Sequence, residues 1–130
     1  METYSIAAVG FGAAAGAWMR WFLGLRLNPV FPTLPLGTLA ANLIGGFLVG
    51  VAVAYFDRHP HVAPQARLLV ITGFLGGLTT FSTFSSEVVN LLLRREYLWA
   101  LGTAGVHLFG SLALTVAGIA LVALLLRGTP

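Results

Sequence analysis

Four long apolar stretches constrain this chain more than any other feature. They run from about Tyr4 to Leu25, Leu36 to Phe56, Ala66 to Leu93 and Tyr97 to Leu126. Each reaches the ~20 residues that a helix needs to cross the hydrocarbon of a bilayer. The stretches are parted by Asn28-Pro29 and Phe31-Pro32-Thr33-Leu34-Pro35, by Asp57-Arg58-His59-Pro60-His61 with Pro64, and by Arg94-Arg95-Glu96. In lipid every backbone N–H and C=O must be satisfied internally, and segments of this length achieve that as helices. Charged residues are 8% of the chain, against about 25% in a soluble domain, so four such segments could not be covered in water. The expectation is an all-α membrane protein with four transmembrane helices and one unit over residues 1–130. Trp18, Trp21, Tyr55, Tyr97 and Trp99 lie near stretch ends, where aromatic belts form.

Several function classes fall away. Cysteine is absent, so there is no disulfide framework and no thiolate metal site. The basic residues are seven arginines, scattered rather than clustered, which argues against nucleic acid as a partner. No paired carboxylate, His–Glu metal spacing or nucleophile with a base in reach suggests an enzyme. His59 and His61 read as solvated loop residues. Glu2 and a long first apolar run do not fit a cleavable signal.

The arginines also bear on orientation. An even number of spans puts both termini on one side, with Arg58, Arg67 and Arg127; the other side holds Arg26, Arg94 and Arg95. Arg20 lies inside the first stretch. Orientation follows an excess of Lys and Arg in cytoplasmic loops, and here there is almost none. Two readings stay open: one orientation set by a weak signal, or dual topology, with both orientations inserted and paired antiparallel. Gly12 with Gly16, and Gly46 with Gly50, are small-xxx-small pairs that let helix backbones approach closely. They serve packing within one bundle or a subunit interface. Four helices have little interior for a pore, which favours an oligomer.

The third stretch is interrupted by Gly76-Gly77-Leu78-Thr79-Thr80-Phe81-Ser82-Thr83-Phe84-Ser85-Ser86-Glu87, with two adjacent glycines, six hydroxyls and a carboxylate. Polar groups at membrane depth are costly and mark ion or substrate paths. Gly76-Gly77 before Leu78-Thr79-Thr80 is a poor helix core, so the third helix is expected to break. Carbonyls freed there suit a hard cation such as Na⁺; a tight helix crossing with back-bonded hydroxyls is the alternative. Phe81 and Phe84, three residues apart, share one helix face among hydroxyls. Phenyl edges are positive and favour a dry anion weakly; ordinary packing is the usual role of such a pair, and the hydroxyls around it are what point elsewhere. Asn42, one turn after Thr38, carries an amide with two donors, for an anion or equally for an interhelical bond to a neighbour's backbone. His107, Ser111 and Thr115 follow one another at one-turn intervals in the fourth stretch; this stripe is either a polar path or, as favoured for His107, internal hydrogen bonding. Arg20 either snorkels to the interface or pairs with Glu87, and Glu87 otherwise sits at a wet pore mouth; the pair is slightly favoured.

Together these residues resemble the Fluc/CrcB family of fluoride channels. The resemblance is carried by the Gly76–Glu87 segment, supported by Gly37-Thr38-Leu39-Ala40-Ala41-Asn42, by Gly12-Ala13-Ala14-Ala15-Gly16-Ala17-Trp18-Met19-Arg20-Trp21, and by His107 and Ser111, and it covers essentially the whole chain. It implies a passive, fluoride-selective ion channel in the bacterial plasma (inner) membrane. It implies an antiparallel, dual-topology homodimer with two narrow fluoride pathways. It implies a structural Na⁺ at the centre, held by the Gly76 and Thr79 carbonyls. Phe81 and Phe84 would line the path, Asn42 would donate to fluoride, and Ser82, Thr83, Thr38 and Ser111 would supply a polar track. Thr103 stands where some members carry Tyr, which sets the outer part of the helix-four track apart.

Such a channel is physically coherent. Fluoride is small and tightly hydrated, so fixed donors must replace its water. A narrow path excludes chloride, and conduction requires binding weak enough to release the ion. A small dual-topology multidrug exporter would share size, helix count and charge balance. It would need a carboxylate near the middle of the first helix, and none follows Glu2 there. A non-transporting scaffold subunit would not explain the hydroxyls gathered beside the glycine pair.

Overall fold

In a computed structural model, which describes residues 2–128, helix α1 spans Glu2–Leu27 and α2 spans Leu36–Arg58. The third apolar stretch forms two helices. The first, α3, covers residues 64–78 and opens on Pro64, whose missing N–H costs nothing in a first turn. The second, α4, spans Phe81–Leu93, and α5 spans Tyr97–Leu125. Four continuous segments, Glu2–Val30, Leu36–Arg58, Pro64–Leu93 and Tyr97–Leu125, are long and apolar enough to cross a membrane. Met1, Thr129 and Pro130, at the ends of the unit expected over 1–130, lie outside the described residues.

The connections follow from local chemistry. Asn28–Val30 make a short 3₁₀ turn after α1. The Asn28 amide oxygen then accepts from the Gly37 and Thr38 N–H groups at 2.8 and 3.2 Å. Pro35, at the N-cap position of α2, has no cap oxygen of its own, so Asn28 supplies it from nine residues upstream. Between α4 and α5, Arg95 adopts φ of 60°. Its N–H bonds the Leu92 carbonyl and the Glu96 N–H bonds the Leu91 carbonyl, the paired bonds of a Schellman turn.

Glycine sets how closely the helices cross. A Cβ on Gly12 or Gly16 would run into the backbone of Leu69, Gly73, Phe74 or Leu78 on α3. One on Gly46 or Gly50 would meet the backbone of Ser111 or Thr115 on α5. Both small-residue pairs therefore serve contacts inside one chain, α1 against α3 and α2 against α5. A core of Ala41, Ala52, Leu75 and Leu78 lies where α2 and α3 meet, flanked by Leu23, Leu48, Val49 and Phe74. Within α3, Leu68–Leu75 is wound as a π-helix. Such widened turns are rare and gather near functional sites.

Candidate functional site

The polar region forms where the third stretch leaves the helical path. Thr79 (φ −81°, ψ 154°) and Thr80 (φ −150°, ψ 118°) are extended between α3 and α4. Two adjacent glycines weaken the end of α3, and two β-branched threonines accept extended backbone readily. In a continuous helix the Thr80 N–H would reach back to the Gly76 carbonyl. Here it donates to Asn42 Oδ1 at 2.8 Å, and Asn42 Nδ2 donates to the Thr80 carbonyl at 3.1 Å. The Thr79 N–H and hydroxyl both donate to the Leu75 carbonyl. Arg20 Nε donates to the Gly77 carbonyl at 3.0 Å. The extended pair is thus held by α2, while Arg20 on α1 holds the Gly77 carbonyl just before it. Thr80 then starts α4, its hydroxyl accepting from the Thr83 N–H at 3.1 Å.

Beside the extended pair lies a groove of about 450 Å³ between α2, α3, α4 and α5. Asn42, Gly76, Thr79, Phe81, Phe84 and Ser111 line it together with His107. The Phe81 and Phe84 rings lie 5.7 Å apart at 60°, and Phe84 lies 4.6 Å from the His107 ring. Phe81 is 79% exposed, with the Phe84 ring beside it. Gly76 is exposed as well. Hydroxyls, an amide, backbone carbonyls and two phenyl rings therefore meet in one partly open space.

Of the residues singled out from the sequence, Thr38, Ser82 and Thr83 lie outside this groove. Ser82 and Thr83 turn toward the Thr80 hydroxyl, at 3.3 and 3.2 Å. Thr38 is buried and donates to Glu87 Oε1 at 2.6 Å. The expected pairing of Arg20 with Glu87 is replaced by these two separate bonds: Arg20 serves a backbone carbonyl, and Glu87 takes the Thr38 hydroxyl. Glu87 Oε2, Thr103 Oγ1 and His107 Nε2 are buried without a hydrogen-bond partner among the described residues. On α5, Thr115 bonds the Gly46 and Ser111 carbonyls, which ties the far end of the polar stripe into packing. Asn28 and the second nitrogen of His107 are the polar groups that sequence reasoning passed over. The Asn28-Pro29 pair read only as a helix stop, and a single histidine in an apolar run says nothing about which nitrogen is engaged.

Residues 7–119 match the family described as CrcB-like protein, Camphor Resistance (CrcB). The chain belongs to the CrcB family. Relatives named fluoride-specific ion channel FluC agree in length as well as sequence. One from Nitrosospira multiformis is 60% identical over 119 residues, 92% of this chain and 93% of its own. One from Chromobacterium violaceum is 62% identical over 116 residues, 89% and 92% of the two chains. One from Pseudomonas putida is 57% identical over 116 residues, 89% and 91%. With four candidate spans, this CrcB protein is a multi-pass bacterial membrane protein.

Proposed function

We propose that this chain is a subunit of a fluoride-selective channel, through which fluoride leaves the cytoplasm passively. The observation that carries the reading is the groove in which the Phe81 and Phe84 rings meet hydrogen-bonding groups fixed beside the extended Thr79–Thr80 pair. An ion stripped of water needs partners already in place. Membership of the CrcB family and the relatives' names as fluoride-specific channels supply the ion's identity. Phe81, Phe84, Asn42 and Ser111 would line the path. Thr38 with Glu87, and Ser82 with Thr83, would continue it as a polar track at either side. HF enters cells as a neutral acid and ionises in a more neutral cytoplasm, so a passive anion pore driven by membrane potential returns fluoride outside.

The working unit in this reading is an antiparallel homodimer of dual topology, in the plasma (inner) membrane. Both glycine pairs are used within the chain, and the groove with its exposed Phe81 and Gly76 is left for a second copy to cover. The near-equal arginine count on the two sides supports both insertions. The third span would act as a broken helix whose Gly76 and Thr79 carbonyls hold a central Na⁺. The donor set fits a hard cation: Gly76 has lost its helical donor to Asn42, and carbonyl oxygens suit such ions. Bound there, Na⁺ would neutralise carbonyl dipoles gathered at the centre of the assembly.

The test is direct. The purified chain in liposomes is expected to release trapped fluoride, read by an ion-selective electrode, and to retain chloride. Intact protein in the vesicles with no fluoride release would end the proposal.

A further inference from the structure

We propose that the Nε2–H of His107 is the central donor to the anion, and that Asn42 acts on the anion through it. This rests on the channel reading above and assigns a donor within that path.

The argument is a count of hydrogens. Asn42 Oδ1 accepts from the Thr80 N–H at 2.8 Å. Asn42 Nδ2 lies 3.1 Å from the Thr80 carbonyl and 3.1 Å from His107 Nδ1. The orientation of the amide is fixed by Thr80: turning it over would set NH₂ against N–H and oxygen against oxygen. A side-chain amide nitrogen has two hydrogens and no acceptor capacity. One hydrogen goes to the Thr80 carbonyl, which can only accept. The other goes to His107 Nδ1, which must therefore carry the lone pair. The network thus assigns the tautomer, and in that tautomer Nε2 bears the proton.

Both hydrogens of Asn42 are then engaged, and no free donor is left on it. His107 Nε2 is in the opposite condition. It is a buried N–H without a partner among the described residues, on a side chain that is 4% exposed and lines the groove. Burying an unmatched donor is costly, so an acceptor belongs there. The neighbouring group is Phe84, whose ring lies 4.6 Å from the imidazole. Phenyl carbon offers no strong acceptor, so the N–H stays available to a small anion that enters beside the ring. Fluoride, compact and a strong acceptor, has the chemistry to fill that position. Asn42 is then a positioning residue. It ties the extended backbone at Thr80 to the protonation pattern of a ring on α5.

The decisive measurement uses the intact protein with ¹⁵N-labelled histidine in lipid nanodiscs. His107 is identified by the resonance that disappears in His107→Phe. Its spectrum is expected to show a protonated Nε2 and an unprotonated Nδ1, and the Nε2–H signal is expected to move on adding fluoride and to stay on adding chloride. In Asn42→Ala the Nδ1-protonated form is expected to appear as well. In liposomes, His107→Phe is expected to lower fluoride efflux about tenfold or more, as loss of one hydrogen bond to an ion would do. His107→Gln, which restores a donor, is expected to recover part of that loss. An Nδ1-protonated resting tautomer, an Nε2–H signal indifferent to fluoride, or full efflux from His107→Phe would each overturn the assignment. If wild-type vesicles themselves release no fluoride, the channel reading fails; if they release it and His107→Phe matches them, only the histidine assignment fails. The wild-type spectra decide the point even if a variant does not fold.

Discussion

Two regions of this chain bring helices together by opposite means. Where α1 crosses α3, Gly12, Gly16, Gly73 and Gly77 bring backbone against backbone, and a Cβ on any of them would meet peptide atoms of the other helix. Around the extended pair and the start of α4, side chains span the distance, through Asn42 to Thr80 and His107 and through Thr38 to Glu87, even though α2 and α5 cross on glycine further along, at Gly46 and Gly50. The first contact leaves no room, and its Gly77 carbonyl is met by Arg20 of the same chain. The second leaves a groove of about 450 Å³ and buried polar atoms without partners among the described residues. Dispersion in a tight crossing supplies rigidity without demanding a ligand. A sparse polar contact is complete only when something else enters. The wall and the path are therefore built from different materials, and substitutions should separate them.

The largest effect is expected in the wall. Gly16→Leu would force a branched side chain into the Phe74–Leu78 backbone, an overpacking cost of about 3 kcal/mol or more. Little monodisperse protein should survive detergent extraction and size exclusion; a normal yield with unchanged melting would show that the crossing can spread freely. Next comes the link between the regions. Asn42→Ala strands the Thr80 N–H and carbonyl, at about 1–3 kcal/mol for each buried group. Both the thermal midpoint and fluoride efflux should drop, and efflux at the wild-type level would place Asn42 in the wall rather than the path. Phe84→Ile belongs to the path alone. Efflux should fall about tenfold, since aromatic contacts are worth about 0.5–1.5 kcal/mol, while the oligomer elutes unchanged. Equal flux in Phe84→Ile and wild type would make the ring packing only.

Smaller effects concern the centre and the outer surface. Above its dissociation constant, Na⁺ should stabilise the assembly by about 1.4 kcal/mol for each tenfold rise in concentration. N-methylglucamine should have no such effect, and a midpoint flat in Na⁺ would remove the ion from the Gly76 and Thr79 carbonyls. Gly105 on α5 has nothing within 4 Å of a Cβ. Gly105→Ala should shift stability by less than about 1 kcal/mol and leave flux alone. A large loss there would mean that a second copy covers this face.

Much of the architecture was legible in the chain because lipid allows so few solutions. The expected Tyr4–Leu25 and Ala66–Leu93 stretches correspond to spans of Glu2–Val30 and Pro64–Leu93, and the charged or proline-rich joints sit where they were expected. The site was legible as a set of residue types and less as a set of bonds. Span surfaces apolar on nearly every side carry little periodicity, so nothing in the sequence sets the rotation of α2 against α4 and α5. That rotation decides that Asn42 meets His107 and that Thr38 meets Glu87. The Arg20–Glu87 expectation failed for a related reason. Opposite charges attract over distance, but a carbonyl left without its helical donor lay closer to hand. Asn28 could not be foreseen either, because its role depends on a loop that folds back to the start of α2.

The Asn42–Thr80 contact reaches further than the groove. An amide that gives one hydrogen bond to a peptide unit and takes another from it reproduces, in a single side chain, the pairing of one strand with its neighbour. Thr80 behaves as a one-residue strand whose partner is lodged in a helix. Because that partner comes from the same chain, the extended conformation is complete before any second copy is met. In the proposed dimer, subunits would then dock with their centres already shaped, and assembly would be recognition between finished surfaces rather than folding upon contact.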